Sequence, residues 1–585
     1  MAGARVRILK TVIGGLFATA ALSACAGASQ SSEQDGLPKA FQDAGGTTEI
    51  YQPSVTGQYL AGRQAMREQN ADAASKYFSD ALSQSSDDVI LLTGAFQAAL
   101  GKGDIETALQ LAKILVNEEG ENSAPHLVLA LDALRQNNFV VAEEHLEQTS
   151  DTGFNVLVKP LLRSWVTLGS GDVNAAIAEL DALDKFDGFD TLKQYHSAML
   201  ADVSGQRDLA DKLYAEAVQG PAGQAVRLIQ AYGIYLVRTG REQEARDLFD
   251  DYLIRYPLSP TINLLIEDLD AGRPLKPMLS SPVDGAAEAL YSAASVIGRE
   301  RAVGIAATYT YFTLMLKPDF PVARILLAEA AEDRDRWAEA LALYSQIDEN
   351  SAYYKNARTR QAWATYRLGD QPEASRILEE VIDAYPNDIE ALVVLADMNR
   401  DAKNWNEAAL QYGRAVSRLP AFENRHWSLF YARGIAYEQS KQWALAETDL
   451  LKALELRPDH PQVLNYLAYS WVDRDENLDQ AKDMLIKAVS LRPRDGYIID
   501  SLGWLYYRLG DFEDAVAQLE KAVSLQAADP TINDHLGDAY WRVGRSDEAR
   551  YQWQRALWLE PTEEQTRDIE EKLKNGLPNK IKAEN

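Results

Sequence analysis

Cysteine occurs once, at position 25, in this chain of 585 residues. A single cysteine excludes a disulfide within the chain and a cysteine-based metal site. The six histidines are scattered, with no pair at the spacing of metal ligands, so the sequence predicts no metal and no cofactor. No P-loop, HExxH or GxSxG pattern occurs. We therefore predict no catalytic residues and a protein that is not an enzyme.

Basic residues are also scarce relative to acidic ones. Lys and Arg together number 59, Asp and Glu number 87, and the net charge is −28. Because nucleic-acid binding depends on basic patches that neutralise phosphates, this balance excludes that class of partner. The acidity is spread along the chain, which favours a role in solubility. Hydrophobic residues at 46% and charged residues at 25% are typical of a folded protein.

No apolar run is long enough to span a membrane. The first 24 residues carry three positive charges followed by an apolar run of about 12 residues, and a spanning helix needs about 20. This pattern predicts a secretory signal over residues 1–24. The segment ends in Leu22-Ser23-Ala24-Cys25, which resembles the bacterial lipobox.

The lipobox resemblance implies that Cys25 becomes the first residue of the mature protein and carries acyl chains such as palmitate. Several acyl chains together give stable membrane anchoring. Ala26 and Gly27 follow the cysteine, and no Asp stands there to retain the protein in the inner membrane. The resemblance therefore implies an outer-membrane lipoprotein that faces the periplasm of a Gram-negative bacterium. Residues 25–50 lack a helical apolar stripe and predict a flexible tether.

An alanine recurs at a nearly constant interval along the rest of the chain. Most intervals are 34 residues, and one is 61. A small residue lies twelve positions before most of these alanines, and a large apolar residue usually lies four positions after. The recurring residues are Ala74, Ala108, Ala142, Ala176, Ala210, Ala245, Ala306, Ala340, Ala374, Ala408, Ala446, Ala481, Ala515 and Ala549.

Two amphipathic helices joined by a short turn explain this interval. The small residue on the first helix and the alanine on the second let the two backbones approach closely, and proline often closes the unit. Leu502, Gly503, Tyr506 and Ala515 match the tetratricopeptide-repeat signature closely. The chain thus resembles tetratricopeptide-repeat proteins over about residues 55–561. The resemblance implies an all-α, right-handed superhelical solenoid of about 14 helix-turn-helix repeats.

Within the long interval, residues 258–285 contain four prolines and predict a break between two arrays. A polar helix after the last repeat would cover the end of the solenoid. The predicted organisation is a lipoprotein signal peptide at 1–24, a lipidated N-terminus and tether at 25–50, an N-terminal array of about six repeats at 51–257, a Pro-rich break at 258–285, a C-terminal array of about eight repeats at 286–561, and a capping helix and tail at 562–585.

The first helix of each repeat lines the concave face of such a solenoid. In the early repeats the inward positions do not stand out, whereas in the last three they combine aromatic, carboxylate, amide and arginine side chains, which are common in interfaces. Since we expect polar groups to be unnecessary for holding the stack, this set predicts a groove for an extended peptide or a partner loop. Its residues are Asn465, Tyr469, Asp473, Tyr497, Asp500, Trp504, Tyr507, Arg508, Asp534, Asp538, Trp541 and Arg542. The alternative for Trp504 and Trp541 is packing between adjacent repeats.

Three strings, at residues 464–474, 495–504 and 533–542, are more specific than the general repeat. They resemble a proteobacterial family of tetratricopeptide-repeat lipoproteins, including the outer-membrane adaptors of periplasmic carboxyl-terminal processing proteases. The resemblance implies a non-catalytic adaptor that recruits or activates the protease and presents substrates such as cell-wall hydrolases. A structural component of an outer-membrane assembly or polysaccharide export complex stays open as the alternative.

Overall fold

The computed structural model describes residues 53–118, 123–186, 188–220, 223, 225–256, 259–299 and 302–578. Within these ranges the regular structure is helical, with thirty α-helices and short 3₁₀ segments. The predicted signal peptide, the tether and Cys25 lie outside the described residues, as do the last seven residues of the tail.

The first fifteen helices form six repeats, a connecting helix and a seventh repeat. A 3₁₀ segment, Leu180–Lys185, follows the eighth helix. The helices are α1 Val55–Arg67, α2 Ala71–Leu82, α3 Val89–Lys102, α4 Ile105–Leu115, α5 Ser123–Arg135, α6 Phe139–Glu147, α7 Asn155–Gly169, α8 Val173–Glu179, α9 Asp190–Val203, α10 Arg207–Gln219, α11 Val226–Arg238, α12 Glu242–Arg255, α13 Pro260–Asp270, α14 Pro282–Arg299 and α15 Val303–Leu316.

The remaining helices form seven more repeats and one terminal helix. A short 3₁₀ turn, Asn424–His426, precedes the twenty-second helix. The helices are α16 Pro321–Glu332, α17 Trp337–Tyr344, α18 Tyr354–Arg367, α19 Gln371–Ala384, α20 Glu390–Asp401, α21 Trp405–Ser417, α22 Trp427–Gln439, α23 Trp443–Leu456, α24 Pro461–Asp473, α25 Leu478–Leu491, α26 Gly496–Leu509, α27 Phe512–Leu525, α28 Pro530–Arg542, α29 Ser546–Trp558 and α30 Glu563–Asn575.

The recurring alanine lies on the second helix of every repeat and is buried in all fourteen. The bulky residue one turn later packs onto the small residue of the first helix. A Cβ built on Gly62 would stand 3.0 Å from the Phe78 ring, and one built on Gly503 would stand 2.6 Å from Leu519 Cγ. These distances leave no room for a larger residue, so the predicted close approach of the paired helices is confirmed.

Consecutive helices contact one another from α1 to α13 and from α14 to α30, and the predicted all-helical repeat solenoid is confirmed. Many turns between paired helices use a left-handed residue, as at Gly103 with φ +79°. Asp104 then caps α4 by accepting a hydrogen bond from the Thr107 amide. These caps explain why glycine followed by aspartate marks the turns in the sequence.

The seventh repeat, α14–α15, packs inside the concave face of the first array. Helix α14 contacts α7 and α9, and α15 contacts α3, α4 and α5. The first helices of repeats three to six present apolar residues to this interior. We call this set the N-terminal inner face; it comprises Leu127, Leu131, Leu161, Trp165, Tyr195, Met199 and Ile234, all of them buried in one continuous core with α14–α15.

One close contact fixes the depth at which the seventh repeat inserts. Gly285 on α14 lies against the fully buried Trp165, and a Cβ built on Gly285 would overlap the indole. Trp165 Nε1 donates a hydrogen bond to His196 Nδ1 at 3.3 Å, and His196 Nε2 lies 3.4 Å from Ser292 Oγ of α14. Burial lowers the pKa of His196 to about 4, so the ring is neutral and its other nitrogen can donate to the serine.

A buried ion pair joins the same two parts of the chain. Glu288 on α14 is fully buried and accepts hydrogen bonds from Arg227 Nε at 3.0 Å and from the Tyr195 hydroxyl at 3.0 Å. Burial raises the pKa of Glu288, but Arg227 outweighs it and holds the pKa below its usual value. The insertion is therefore held by specific polar contacts as well as by apolar packing.

Candidate functional site

The predicted groove residues lie on three successive first helices. Proline at the first position begins α24 and α28, and Asp495 caps α26 through the Ile498 amide. The three helices therefore begin at equivalent points of their repeats and present the same helical positions to one side. Asn465, Tyr469 and Asp473 lie on α24; Tyr497, Asp500, Trp504, Tyr507 and Arg508 on α26; and Asp534, Asp538, Trp541 and Arg542 on α28.

Three rings stack at the centre of this wall. The Trp504 indole lies between Tyr507, with centroids 4.8 Å apart, and His535, with centroids 4.1 Å apart, and the planes are within 14° of parallel. His535 Nδ1 is 3.0 Å from Asp500 Oδ1. Burial acts against a charged His535, but Asp500 outweighs it and the pKa of the histidine is raised. The stack orders Trp504, which itself stays half-buried.

A second polar cluster lies where the terminal helix meets the last repeat. Lys572 of α30 places its Nζ 2.8 Å from Asp534 and 2.9 Å from Asp538, and Trp553 Nε1 donates to Asp538 at 2.8 Å. Burial, and then the nearby Asp534 carboxylate, raise the pKa of Asp538 to about 6, although Lys572 acts in the opposite direction. These contacts dock α30 onto the wall.

The two predicted arginines are also held within the chain. Arg508 Nη2 is 2.6 Å from Asp475 Oδ1. Arg542 donates to the Tyr507 hydroxyl at 3.2 Å and to the Pro578 carbonyl at 2.6 Å. Contrary to the expectation from the sequence, these polar groups make contacts within the stack: Asp500, Arg508 and Arg542 join neighbouring repeats, and Asp538 joins the last repeat to α30. Whether a partner binds these residues stays a prediction.

Similar contacts continue through the earlier repeats of this array. Each joins one first helix to the next, and none was singled out from the sequence. They link Glu332 to Arg360 at 2.9 Å, Asn356 to Glu390 at 3.3 Å, Tyr366 to Asp401 at 2.7 Å and Glu438 to Tyr466 at 3.0 Å. We call the surface formed by α16, α18, α20, α22, α24, α26 and α28 the C-terminal inner face.

Several groups of the C-terminal inner face remain open. Trp363, Tyr366, Tyr469 and Trp504 are half-buried. The side-chain oxygen of Asn465 is buried and has no hydrogen-bond partner among the described residues. Trp363 and Tyr366 occupy the same repeat positions as Trp504 and Tyr507. Comparison of these positions in the sequence could therefore have extended the predicted groove toward the N-terminus.

The two inner faces differ in occupancy. The N-terminal inner face is apolar and covered by α14–α15, and Leu275 and Leu279 of the connecting segment are buried in the same core. Its apolar character is the sequence signal that was missed, since apolar residues on a concave face need a cover.

Within the described ranges, no helix is long and apolar enough to cross a bilayer, and no three His, Cys, Asp or Glu side chains converge as a metal site.

Family models match four parts of the chain. A model described as TPR repeat matches residues 503–544, and models described as Tetratricopeptide repeat match 359–422, 321–346 and 535–555. These segments belong to the C-terminal array. The matched segments are similar to tetratricopeptide repeats, and the fold of the described residues is a helical repeat solenoid.

A curated TPR repeat-containing protein of Pseudomonas aeruginosa is 29% identical over 198 residues, which are 33% of this chain and 32% of the relative. The match thus spans about a third of the relative's length. Among solved structures, the APC/C hetero-tetramer Cut9-Hcn1 aligns at 17% identity over 91% of this chain and 98% of that chain, with a TM-score of 0.36. Yeast Tom70 aligns at 14% identity over 89% and 95%, with a TM-score of 0.30.

Proposed function

We propose that this chain is a lipid-anchored scaffold facing the periplasm, and that it binds a protein partner on its C-terminal inner face. The repeat architecture supports protein–protein interaction as its role. One observation favours this face: the N-terminal inner face is filled by the chain's own seventh repeat, whereas half-buried aromatic residues of the C-terminal inner face are left uncovered. Half-exposed aromatic residues in a concave surface are typical of binding hot spots.

The more specific proposal is an adaptor for a periplasmic carboxyl-terminal processing protease. The support is the resemblance of residues 464–474, 495–504 and 533–542 to the family that includes such adaptors. These strings lie on α24, α26 and α28, where Trp504 stacks on His535 and Asp538 accepts a hydrogen bond from Lys572. In this role the scaffold would recruit or activate the protease and hold substrates such as cell-wall hydrolases close to it.

The test is photocrosslinking in cell envelopes. A benzophenone amino acid replaces the half-buried Tyr469 of the C-terminal inner face, and a matched variant carries it at Tyr551, which is 58% exposed on α29. We expect Tyr469 to yield a covalent complex with the protease or its substrates and Tyr551 to yield none. Complexes with outer-membrane assembly or export proteins would support the structural alternative, and the absence of any complex from Tyr469 would refute binding at this face.

The anchor has its own test. Cys25→Ser removes the predicted acylation site, so the protein should move from the membrane fraction to the soluble fraction. Ser23→Thr, in the same segment, leaves the cysteine in place and should leave the protein bound. Retention of the Cys25→Ser protein in the membrane fraction would contradict lipid anchoring.

A further inference from the structure

The carboxylates of the C-terminal inner face outnumber the cations available to balance them. Five of them have no Lys, Arg or His nitrogen within 4 Å in the described part of the chain, and they are spread over four of the seven first helices. Where these groups have hydrogen-bond donors, the donors are neutral, as Tyr366 is to Asp401. The unbalanced groups are Glu329 on α16, Glu390 and Asp401 on α20, Glu438 on α22 and Asp473 on α24.

Most cations of the same face are already paired with carboxylates. Arg360 binds Glu332, Arg400 binds Asp397 at 3.1 Å, and Lys572 binds two aspartates. Arg508 and Arg542 have the partners described above. Arg324 and Arg542 donate only to neutral groups, so five unpaired carboxylates stand against two unpaired arginines. The face therefore holds a net excess of negative charge and would attract cations and repel anions. In agreement, burial and then Asp388 raise the pKa of Glu390, despite Lys355 nearby.

The aromatic rings between these carboxylates lack a cation as well. Arginine or lysine side chains lie over Trp337, Trp427, Trp443 and other rings, Tyr507 and Trp541 of the C-terminal inner face among them. Within the described ranges, none lies over Trp363, Tyr366, Tyr469 or Trp504. A cation held over an aromatic ring is attracted by the negative charge density of the ring face. Trp363, Tyr366 and Tyr469 share this face with the unbalanced carboxylates, and the two kinds of group together are complementary to lysine and arginine side chains. The Trp504 ring is already covered by Tyr507 and His535.

We propose that the C-terminal inner face binds a lysine- and arginine-rich segment of the protein partner. This inference rests on the proposed function and adds the chemistry of the bound segment. The basic side chains pair with the unbalanced carboxylates, and their stems lie on the half-buried rings. The net charge of −28 steers such a segment toward the chain, and the inner face provides the specific contacts.

The experiment measures binding of labelled 15-residue peptides to the full chain by fluorescence anisotropy. One peptide alternates lysine or arginine with leucine, a second has glutamate at every basic position, and a third has glutamine there. We expect the basic peptide to bind, with an affinity that falls as salt rises from 50 to 300 mM, and the acidic peptide not to bind. Equal binding of the basic and glutamine peptides would overturn the proposal.

A matched pair of variants locates the binding. The inner-face variant combines Glu390→Gln, Asp401→Asn and Asp473→Asn, and these three residues form no ion pair. The control combines Asp479→Asn, Glu513→Gln and Asp514→Asn, which are exposed on second helices and also unpaired. Both variants lose three negative charges. We expect the inner-face variant to bind the basic peptide roughly tenfold more weakly and the control to bind unchanged.

The outcomes separate this inference from the scaffold proposal. Circular dichroism first confirms that both variants keep their helices. If the two variants bind the basic peptide equally, attraction is general and the inner-face assignment fails. If the inner-face variant still forms the Tyr469 crosslink to the partner at the original yield, the scaffold proposal stands and the basic segment is wrong. If Tyr469 forms no crosslink in the unmodified chain, the scaffold proposal itself fails.

Discussion

Glu288 and Arg227 form a buried ion pair that joins the seventh repeat to the sixth across the interior of the N-terminal array. Arg227 Nε donates to Glu288 Oε1 at 3.0 Å, and the guanidinium also lies 5.0 Å from the Phe320 ring centroid. The two residues are 61 positions apart in the chain, and Glu288 has no exposed surface. This pair allows the insertion of α14–α15 to be tested one contact at a time.

The first prediction concerns the loss of one partner of the pair. Arg227→Met leaves the Glu288 carboxylate buried without a cation, and such a change destabilises a protein by about 3–5 kcal/mol. We expect a lower midpoint of thermal unfolding for Arg227→Met and for Glu288→Leu. The double variant should be less destabilised than the sum of the two, because two apolar groups replace the pair together.

The control for this prediction is an exposed pair on the second helix of the repeat that contains Arg227. Arg246 Nη2 lies 3.0 Å from Glu242 Oε1 at the surface of α12. Since surface pairs contribute about 0–1 kcal/mol, Glu242→Gln should leave the unfolding midpoint almost unchanged. If Arg227→Met and Glu242→Gln had the same small effect, the ion pair would not hold the seventh repeat in place.

The second prediction uses two glycines of the same inserted hairpin. Gly285→Ala adds a methyl group that overlaps the buried Trp165, whereas a Cβ built on Gly304, in the first turn of α15, meets no atom within 4 Å. We expect Gly285→Ala to destabilise the protein by about 1–3 kcal/mol. Gly304→Ala should be neutral or slightly stabilising, because alanine reduces the entropy of the unfolded chain. Denaturant unfolding of both variants measures the difference.

The third prediction concerns where the N-terminal unit ends. A fragment of residues 53–256 lacks α14–α15 and would expose Leu131, Leu161 and Trp165, which are fully buried in the whole chain. We expect it to bind a hydrophobic dye and to aggregate, since soluble monomers rarely expose large apolar patches. A fragment of residues 53–320 retains the hairpin and should be monomeric in analytical ultracentrifugation. Equal solubility of both fragments would contradict a structural role for the insertion.

The recurring small and bulky residues made the helix pairs predictable from the sequence. They did not predict that α14–α15 packs inside the first array. Close packing of two helices demands a small residue such as Gly503 and an alanine such as Ala515 at a fixed local spacing, so the sequence records it directly. By contrast, Leu161 and Trp165 have the same apolar character whether they face their own repeat or a distant one. Because the cover comes from α14, more than a hundred residues further along the chain, no local pattern reveals it.

The same reasoning applies to the candidate site. Repeat positions placed Asp500, Trp504 and Asp538 on the first helices of their repeats, because those positions recur every 34 residues. The partners of these side chains could not be inferred. The contact of Asp500 with His535 depends on how one repeat is rotated against the next, and that rotation follows from the packing of whole helices.

The fourth prediction concerns the pH dependence that Asp538 gives to the end of the solenoid. Burial raises the pKa of this carboxyl to about 6 in the folded protein, against an ordinary value of 3.8. Between pH 3.8 and about pH 6, the Asp538 carboxyl therefore holds its proton more tightly in the folded state than in the unfolded state. The stability that Asp538 contributes is therefore fully present below about pH 4 and is lost as the pH rises through about 6.

Asp538→Asn removes this titration while leaving an oxygen that can accept the Trp553 hydrogen bond. Relative to the variant, the unmodified protein should lose on the order of 2–3 kcal/mol of stability between pH 4 and pH 7. Hydrogen exchange of α28–α30, corrected for the intrinsic effect of pH, measures this difference locally. Because both proteins share every other titrating group, parallel pH profiles would show that Lys572 keeps Asp538 ionised throughout the range. A profile that steepens near pH 6 only in the unmodified protein would identify Asp538 as the group that controls the docking of α30.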